Sequence, residues 1–148
     1  MSETVDYHQL VAAAGDAIVV SDASGLITVW NPAAEYIFGF TAAEALGVSL
    51  DLIIPERQRQ RHWDQYAKTM STGVTRYGHD LLRVPALHKD GRTLSIAFTV
   101  GLLQDANKTV TGVLAIIRDE TTRWADERAL KRRVADLEAG IAKAEPVS

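Results

Sequence analysis

Between Leu94 and Leu102 every second side chain is large and apolar. Leu94, Ile96, Phe98, Val100 and Leu102 alternate with Thr93, Ser95, Ala97, Thr99 and Gly101. A period of two puts these five on one face of a β-strand, and that face must be covered. The preceding stretch, Glu56 to Ser71, has helical spacing instead, with Trp63, Tyr66, Ala67 and Met70 on one side. A helix roofing a half-apolar sheet is the simplest way to satisfy both patterns.

The rest of the chain fills in around that pair. Tyr7–Ala14 reads as a short helix with Gly15 as its C-terminal stop. Ala17–Ser21 and Leu26–Trp30 are β-branched runs separated by Asp22-Ala-Ser-Gly25, a hairpin signal. Asn31 followed by Pro32 caps a helix that Gly39 ends. Thr41 and Glu44 form a capping box, and Ser49–Ile54 makes one more helical turn before Pro55.

Thr75–His88 and Arg92–Leu103 read as strands joined by Lys89-Asp90-Gly91, a candidate type I′ hairpin. Val110–Arg118 is almost wholly apolar, which predicts a central strand. The expected class is α+β: a five-stranded antiparallel sheet with helices on one face, an N-terminal helix and a C-terminal helix. The expected division is residues 1–15, 16–122 and 123–148.

In the last segment Leu130, Val134, Leu137 and Ile141 are spaced 4, 3, 4 among charged residues, an a/d seam of about two heptads. So short a seam predicts pairing with a second copy, supported by the folded domain. The roughly 25 residues after Arg123 are too few for an effector domain. The expectation is that the chain either acts on a signalling protein or effector domain in trans, or is the sensor part of a longer receptor.

Bulk chemistry removes several function classes. With 148 residues, 47% hydrophobic, 24% charged and net charge −3, nothing draws the chain to nucleic acid or an anionic membrane. The basic groups at Arg57–Arg61 and Lys131–Arg133 sit among acidic neighbours as solvated helix faces. There is no cysteine, hence no disulfide, thiolate nucleophile or Cys-ligated metal. The composition fits a reducing cytoplasm, and the N-terminus lacks a secretory pattern. The longest apolar stretch, Val113–Ile117, is far short of a membrane span.

No phosphate loop or hydrolytic triad is present, so no catalytic residue is expected. His8, His79 and His88 have no metal-ligand spacing with His62. Tyr66, Trp63 and Met70 read as helix core, Trp30 and Trp124 as packing residues, the latter over the sheet-to-helix joint.

Several spaced segments together resemble the PAS family: Asp22-Ala-Ser-Gly-Leu-Ile with Trp30-Asn-Pro-Ala-Ala-Glu, Phe38-Gly-Phe-Thr-Ala-Ala-Glu-Ala-Leu-Gly, Lys89-Asp-Gly-Arg-Thr and Ile117-Arg-Asp-Glu-Thr. The last resembles the family's Arg-Asp-[Ile/Val]-Thr pattern, which ends the sheet and begins the output helix. The resemblance covers about Asp16 to Thr122. It implies a sensory or dimerisation module with a pocket between sheet and helices, signalling through Asp119 and Thr121 into the C-terminal helix.

Within the family, Glu56–Tyr66 is similar to the ligand helix of haem-PAS oxygen sensors, and His62 lies 29 positions before Gly91, as in those sensors. That resemblance implies haem b, with His62 as iron ligand in a site that includes Tyr66. Lys68 and Arg76 fall at propionate contacts, and Ile96, Phe98 and Val100 at the pocket wall. The position of the sensors' distal arginine falls on Leu82. Arg83 is adjacent, and His79 is another candidate distal group. Flavin–cysteinyl and coumaroyl photochemistry are excluded by the missing cysteine. The alternative is a PAS interaction module without cofactor, or a sensor of a small metabolite.

Overall fold

The computed structural model describes residues 4–75 and 79–144, with the side chains of 143 and 144 left aside. The order of elements is α1 (Tyr7–Ala13), β1 (Ala17–Asp22), β2 (Ile27–Trp30), α2 (Pro32–Phe38), α3 (Ala42–Ala45), a 3-10 turn (Leu50–Ile53), α4 (Glu56–Thr72), β3 (Leu82–Leu87), β4 (Thr93–Gln104), β5 (Val110–Asp119) and α5 (Thr121–Ala144). The five strands form one antiparallel sheet in the order β2-β1-β5-β4-β3. The nearly all-apolar β5 lies at its centre, as its composition predicts.

Local chemistry sets the helix starts. Asn31 accepts from the Ala34 N–H at 3.0 Å and also from Ile18 N–H at 2.8 Å, so one side chain caps α2 and fixes it to β1. Its amide donates to the carbonyls of Val11 and Asp16, tying in the end of α1. Thr41 and Glu44 make the reciprocal bonds of a capping box around α3. The core is centred on Ala17, Val19, Ile27, Trp30, Phe38, Leu94, Ile96 and Ile117, with Phe38 fully enclosed.

Four local readings are corrected. Gly15 has ordinary backbone geometry, and Ala14 ends α1 in an extended conformation, so no left-handed glycine stop is used. Of the strand expected over Thr75–His88, residues 76–78 lie outside the described residues, and among the rest only Leu82–Leu87 is strand, preceded by exposed Asp80, a poor strand former. Asp90 lacks the positive φ of a type I′ turn. The hairpin closes instead through Gly91 N–H to His88 C=O, with Gly91 at φ 92°. Trp124 is half exposed beneath the Arg128 guanidinium rather than covering the joint.

Residue alternation across the sheet is consistent from strand to strand. Val19, Ala115, Val100 and, one pair along, Ile117, Phe98 and Leu82 share the face beneath α4. On the opposite face Arg83, Ala97 and Arg118 lie side by side across β3, β4 and β5. Pro85 sits mid-strand on the edge. Its partner Ser95 turns its N–H and C=O away from it, toward Thr121 Oγ1 and Glu120 N–H. The missing proline N–H therefore falls on the open side of β3, where no ladder bond is lost.

The β1–β2 turn carries a close approach that helps position α4. Gly25 has φ 82°, and a Cβ there would collide with the indole of Trp63. Gly25→Ala is expected to lower stability by roughly 2–4 kcal/mol, combining left-handed strain with overpacking. Urea unfolding with an unchanged slope is the measurement. A loss under about 0.5 kcal/mol would show that the indole yields freely.

Candidate functional site

The sheet face and α4 do not close on each other. Between them lies a cavity of about 460 Å³, within the size range of small-molecule sites. Its floor is formed by Val19 and Ser21 from β1, Ile96, Phe98 and Val100 from β4, and Val113, Ala115 and Ile117 from β5. Leu82 and Val84 of β3 close one side, and Ile53 and Ile54 close another.

The roof is chemically different. Gln58, His62, Gln65 and Thr69 line the cavity from α4, with Arg61 beside them. Their spacing of 4, 3, 4 is a single helical stripe. The helix thus turns a polar stripe, not the Trp63–Ala67–Met70 face, toward the sheet. Ala67 is exposed, whereas Tyr66 and Thr69 are buried.

Three contacts determine that rotation. Trp63 Nε1 donates to Asp51 Oδ1 at 2.7 Å. Tyr66 donates its hydroxyl proton to the Asp22 carbonyl and is 2.9 Å from Ser21 Oγ, which then serves as donor to it. Arg59 Nε donates to the Ile54 carbonyl at 3.0 Å. These bonds pin one flank of α4 to the β1–β2 turn and the 3-10 segment, and leave the stripe over the cavity. Burial also raises the Tyr66 pKa, which keeps its hydroxyl a proton donor at neutral pH.

His62 is the most reactive group of the stripe. Its ring packs edge-on to Trp63 at 4.6 Å between centroids and lies 5.7 Å from Tyr66. Burial lowers its pKa, opposed only in part by Asp51, so the imidazole is neutral at pH 7. Its Nδ1 is buried with no hydrogen-bond partner, and so is Gln58 Oε1 one turn earlier. Buried polar atoms without partners are rare in folded proteins and call for an explanation.

The other sequence candidates are distributed as follows. Ile96, Phe98, Val100 and Tyr66 line the cavity with His62. Lys68 and His79 are exposed and are not among the lining residues. Arg76 lies outside the described residues. Leu82 lines the cavity opposite Phe98 in register, while Arg83 pairs with Ala97 on the other face and contacts Glu120. No bulge interrupts this register: Arg83 borders the cavity along the edge strand, while its guanidinium reaches Glu120 on the other face.

At the sheet-to-helix corner Asp119 accepts from the N–H and the hydroxyl of Thr121, and Thr121 Oγ1 accepts from Ser95 N–H at 3.0 Å. Leu130, Val134, Leu137 and Ile141 are between 45 and 63% exposed along α5. Sequence reasoning missed Gln58, Gln65 and Thr69. Their own 4-3-4 spacing with His62 was the available signal, masked by the more conspicuous aromatic pattern.

Among the described residues no group of three or more His, Asp or Glu side chains could hold a metal ion, and no helix is long and apolar enough to cross a membrane.

Comparison with known proteins agrees with this architecture. The family model described as the PAS fold matches residues 6–119. An uncharacterised protein of Azorhizobium caulinodans is 31% identical over 128 residues, covering 85% of this chain and 17% of that protein. The sensor protein FixL of Bradyrhizobium diazoefficiens is 29% identical over 124 residues, 82% of this chain and 24% of the relative. The signal transduction histidine-protein kinase AtoS of Escherichia coli is 25% identical over 138 residues, 90% of this chain and 22% of the relative. The chain thus spans under a quarter of the length of these relatives.

Among solved structures, the PAS domain of a Colwellia psychrerythraea protein superposes with a TM-score of 0.68 at 24% identity, covering 78% of this chain and 95% of that one. An RNA-binding light-oxygen-voltage receptor gives 0.67 at 21% identity over 92% of this chain and 37% of the other. With the PAS-fold model matching residues 6–119, most of its length, this chain belongs to the PAS family and is a sensory module of that fold.

Proposed function

We propose that this PAS module senses through its core cavity by holding haem b with His62 as the axial iron ligand. It would then act, as a homodimer, on a signalling partner or effector domain. The observation carrying the reading is the neutral, buried His62 imidazole lining a cavity whose opposite surface is apolar. The likeness of Glu56–Tyr66 to the ligand helix of haem-PAS sensors supports it from the sequence side.

The residues present fit the group: His62 would hold the iron, since neutral histidine is a good ligand for haem iron, and Ile96, Phe98, Val100 and Leu82 would offer hydrocarbon to the macrocycle. Bound haem would supply gas binding or a change of redox state as the primary event. The chain's own contribution is to orient the imidazole between Trp63 and Tyr66 and to exclude water from the floor. Lys68 is exposed and not among the lining residues, whereas Arg61 and Arg83 border the cavity, and Arg61, on the roof beside His62, would be the cation for holding a propionate.

A second reading, a cofactor-free module sensing a small polar metabolite, is favoured by one observation. Gln58 Oε1 is left without a partner beside His62, and a ligand offering hydrogen-bond donors would satisfy both groups without iron.

Titration of the purified chain with haemin separates the two. The haem reading expects a Soret band at one equivalent, and His62→Ala weakening binding tenfold or more, at least about 1.4 kcal/mol. A featureless visible spectrum with haemin in excess, or a band indifferent to His62→Ala, would overturn it.

The dimer half of the proposal rests on the exposed seam of α5, an apolar stripe with no covering element among the described residues. Sedimentation should give a dimer in the micromolar range, and Leu130→Asp with Leu137→Asp should give monomers at the same concentrations. A parent chain that sediments as a monomer there refutes the seam as a dimer contact.

A further inference from the structure

We infer that Glu120 couples the pocket-lining edge strand β3 to helix α5, through Arg83 on one side and Arg123 on the other. This role stands whichever ligand the cavity takes.

Strand β3 has two chemically distinct faces. Leu82 and Val84 line the cavity, opposite Phe98 and Ile96. Arg83, between them, is directed to the reverse face, and its Nε lies 3.5 Å from Glu120 Oε2. The other carboxylate oxygen, Oε1, lies 3.8 Å from Arg123 in the first turn of α5, and Arg123 also pairs with Glu127 at 3.2 Å. A residue on the cavity wall is thus connected in two steps to the helix that leaves the domain.

Exposed ion pairs by themselves contribute little to stability. This one differs because its carboxylate is sequestered: the Glu120 side chain is only 13% exposed, while both arginines remain largely in solvent. A carboxylate withdrawn from water is costly unless cations stay close to it. Arg118 on the same face also feels this charge but is engaged with Asp16, so either close arginine moving away would weaken the compensation, and the three groups favour moving together.

The backbone at this corner is equally constrained. Glu120 N–H donates to the Ser95 carbonyl at 2.8 Å, and its own carbonyl accepts from Trp124 N–H at 2.8 Å, so Glu120 belongs to the sheet ladder and to the helix at once. β3 is an edge strand held in the sheet by β4 alone, which makes it the wall most easily displaced when the cavity fills. A shift at Leu82 and Val84 would pull Arg83 with it, and Glu120 would turn that shift into a change in the direction of α5.

Amide hydrogen exchange on the full chain tests the coupling without any ligand. Arg83→Met, a change on β3, is expected to raise exchange three- to tenfold at the α5 amides from Trp124 to Ala129. Glu120→Ile should raise it both there and across Leu82–Leu87. The double variant should be no faster than Glu120→Ile alone, while Ala17–Asp22 stays at the parental rate. Glu120→Gln, of nearly the same shape, gives the same pattern if charge rather than packing is responsible, and serves as the variant if isoleucine disturbs the fold. Faster exchange confined to β3 in Arg83→Met, or strictly additive effects in the double variant, would overturn the inference.

Discussion

The cavity exists because α4 is fastened along one flank and unsupported along the other. Trp63 to Asp51, Tyr66 to Asp22 and Ser21, and Arg59 to the end of the 3-10 turn fix the helix over the near side of the sheet. The side chains that would otherwise fill the interior, the aromatic pair at 63 and 66, are committed to those attachments. What remains over β4 and β5 is the stripe from Gln58 to Thr69, too polar to pack tightly on valine, isoleucine and phenylalanine. An apolar floor meeting a polar roof resists collapse, since closure would bury amides and an imidazole against hydrocarbon.

This also explains how far the sequence could be read. Elements specified by neighbours in the chain were legible: the alternation of β4, the Asn31–Pro32 start of α2, the Thr41–Glu44 box and the central position of β5. Each is decided by a period or a cap within a few residues. The rotation of α4 was not legible, because it depends on Asp51, Asp22 and Ser21, which belong to other elements. Trp63, Tyr66, Ala67 and Met70 form a good apolar face by spacing alone, yet hydrogen bonds from two of them turned another face inward.

The candidate site was read in the same uneven way. His62 and the floor residues Ile96, Phe98 and Val100 were accessible, since a helix and an alternating strand each announce their face. Lys68 was misplaced relative to the cavity for the reason that Ala67 was: a rotation of the helix moves every residue on it. The pairing of Arg83 with Glu120 could not be foreseen, because it requires the edge strand, the central strand and the start of α5 to be assembled first.

The proline in the edge strand has a wider consequence. An edge strand in full extension offers a row of free N–H and C=O groups on which a foreign strand can zip up. Pro85 removes a donor from the middle of that row, on the side facing outward, and does so without weakening the bond pattern to β4. Lateral growth of the sheet by recruitment of a sixth strand from a stranger is thereby discouraged at the border where this molecule would be most vulnerable. Whatever associates with this module is steered away from that margin, toward surfaces where side chains rather than bare backbone decide who fits.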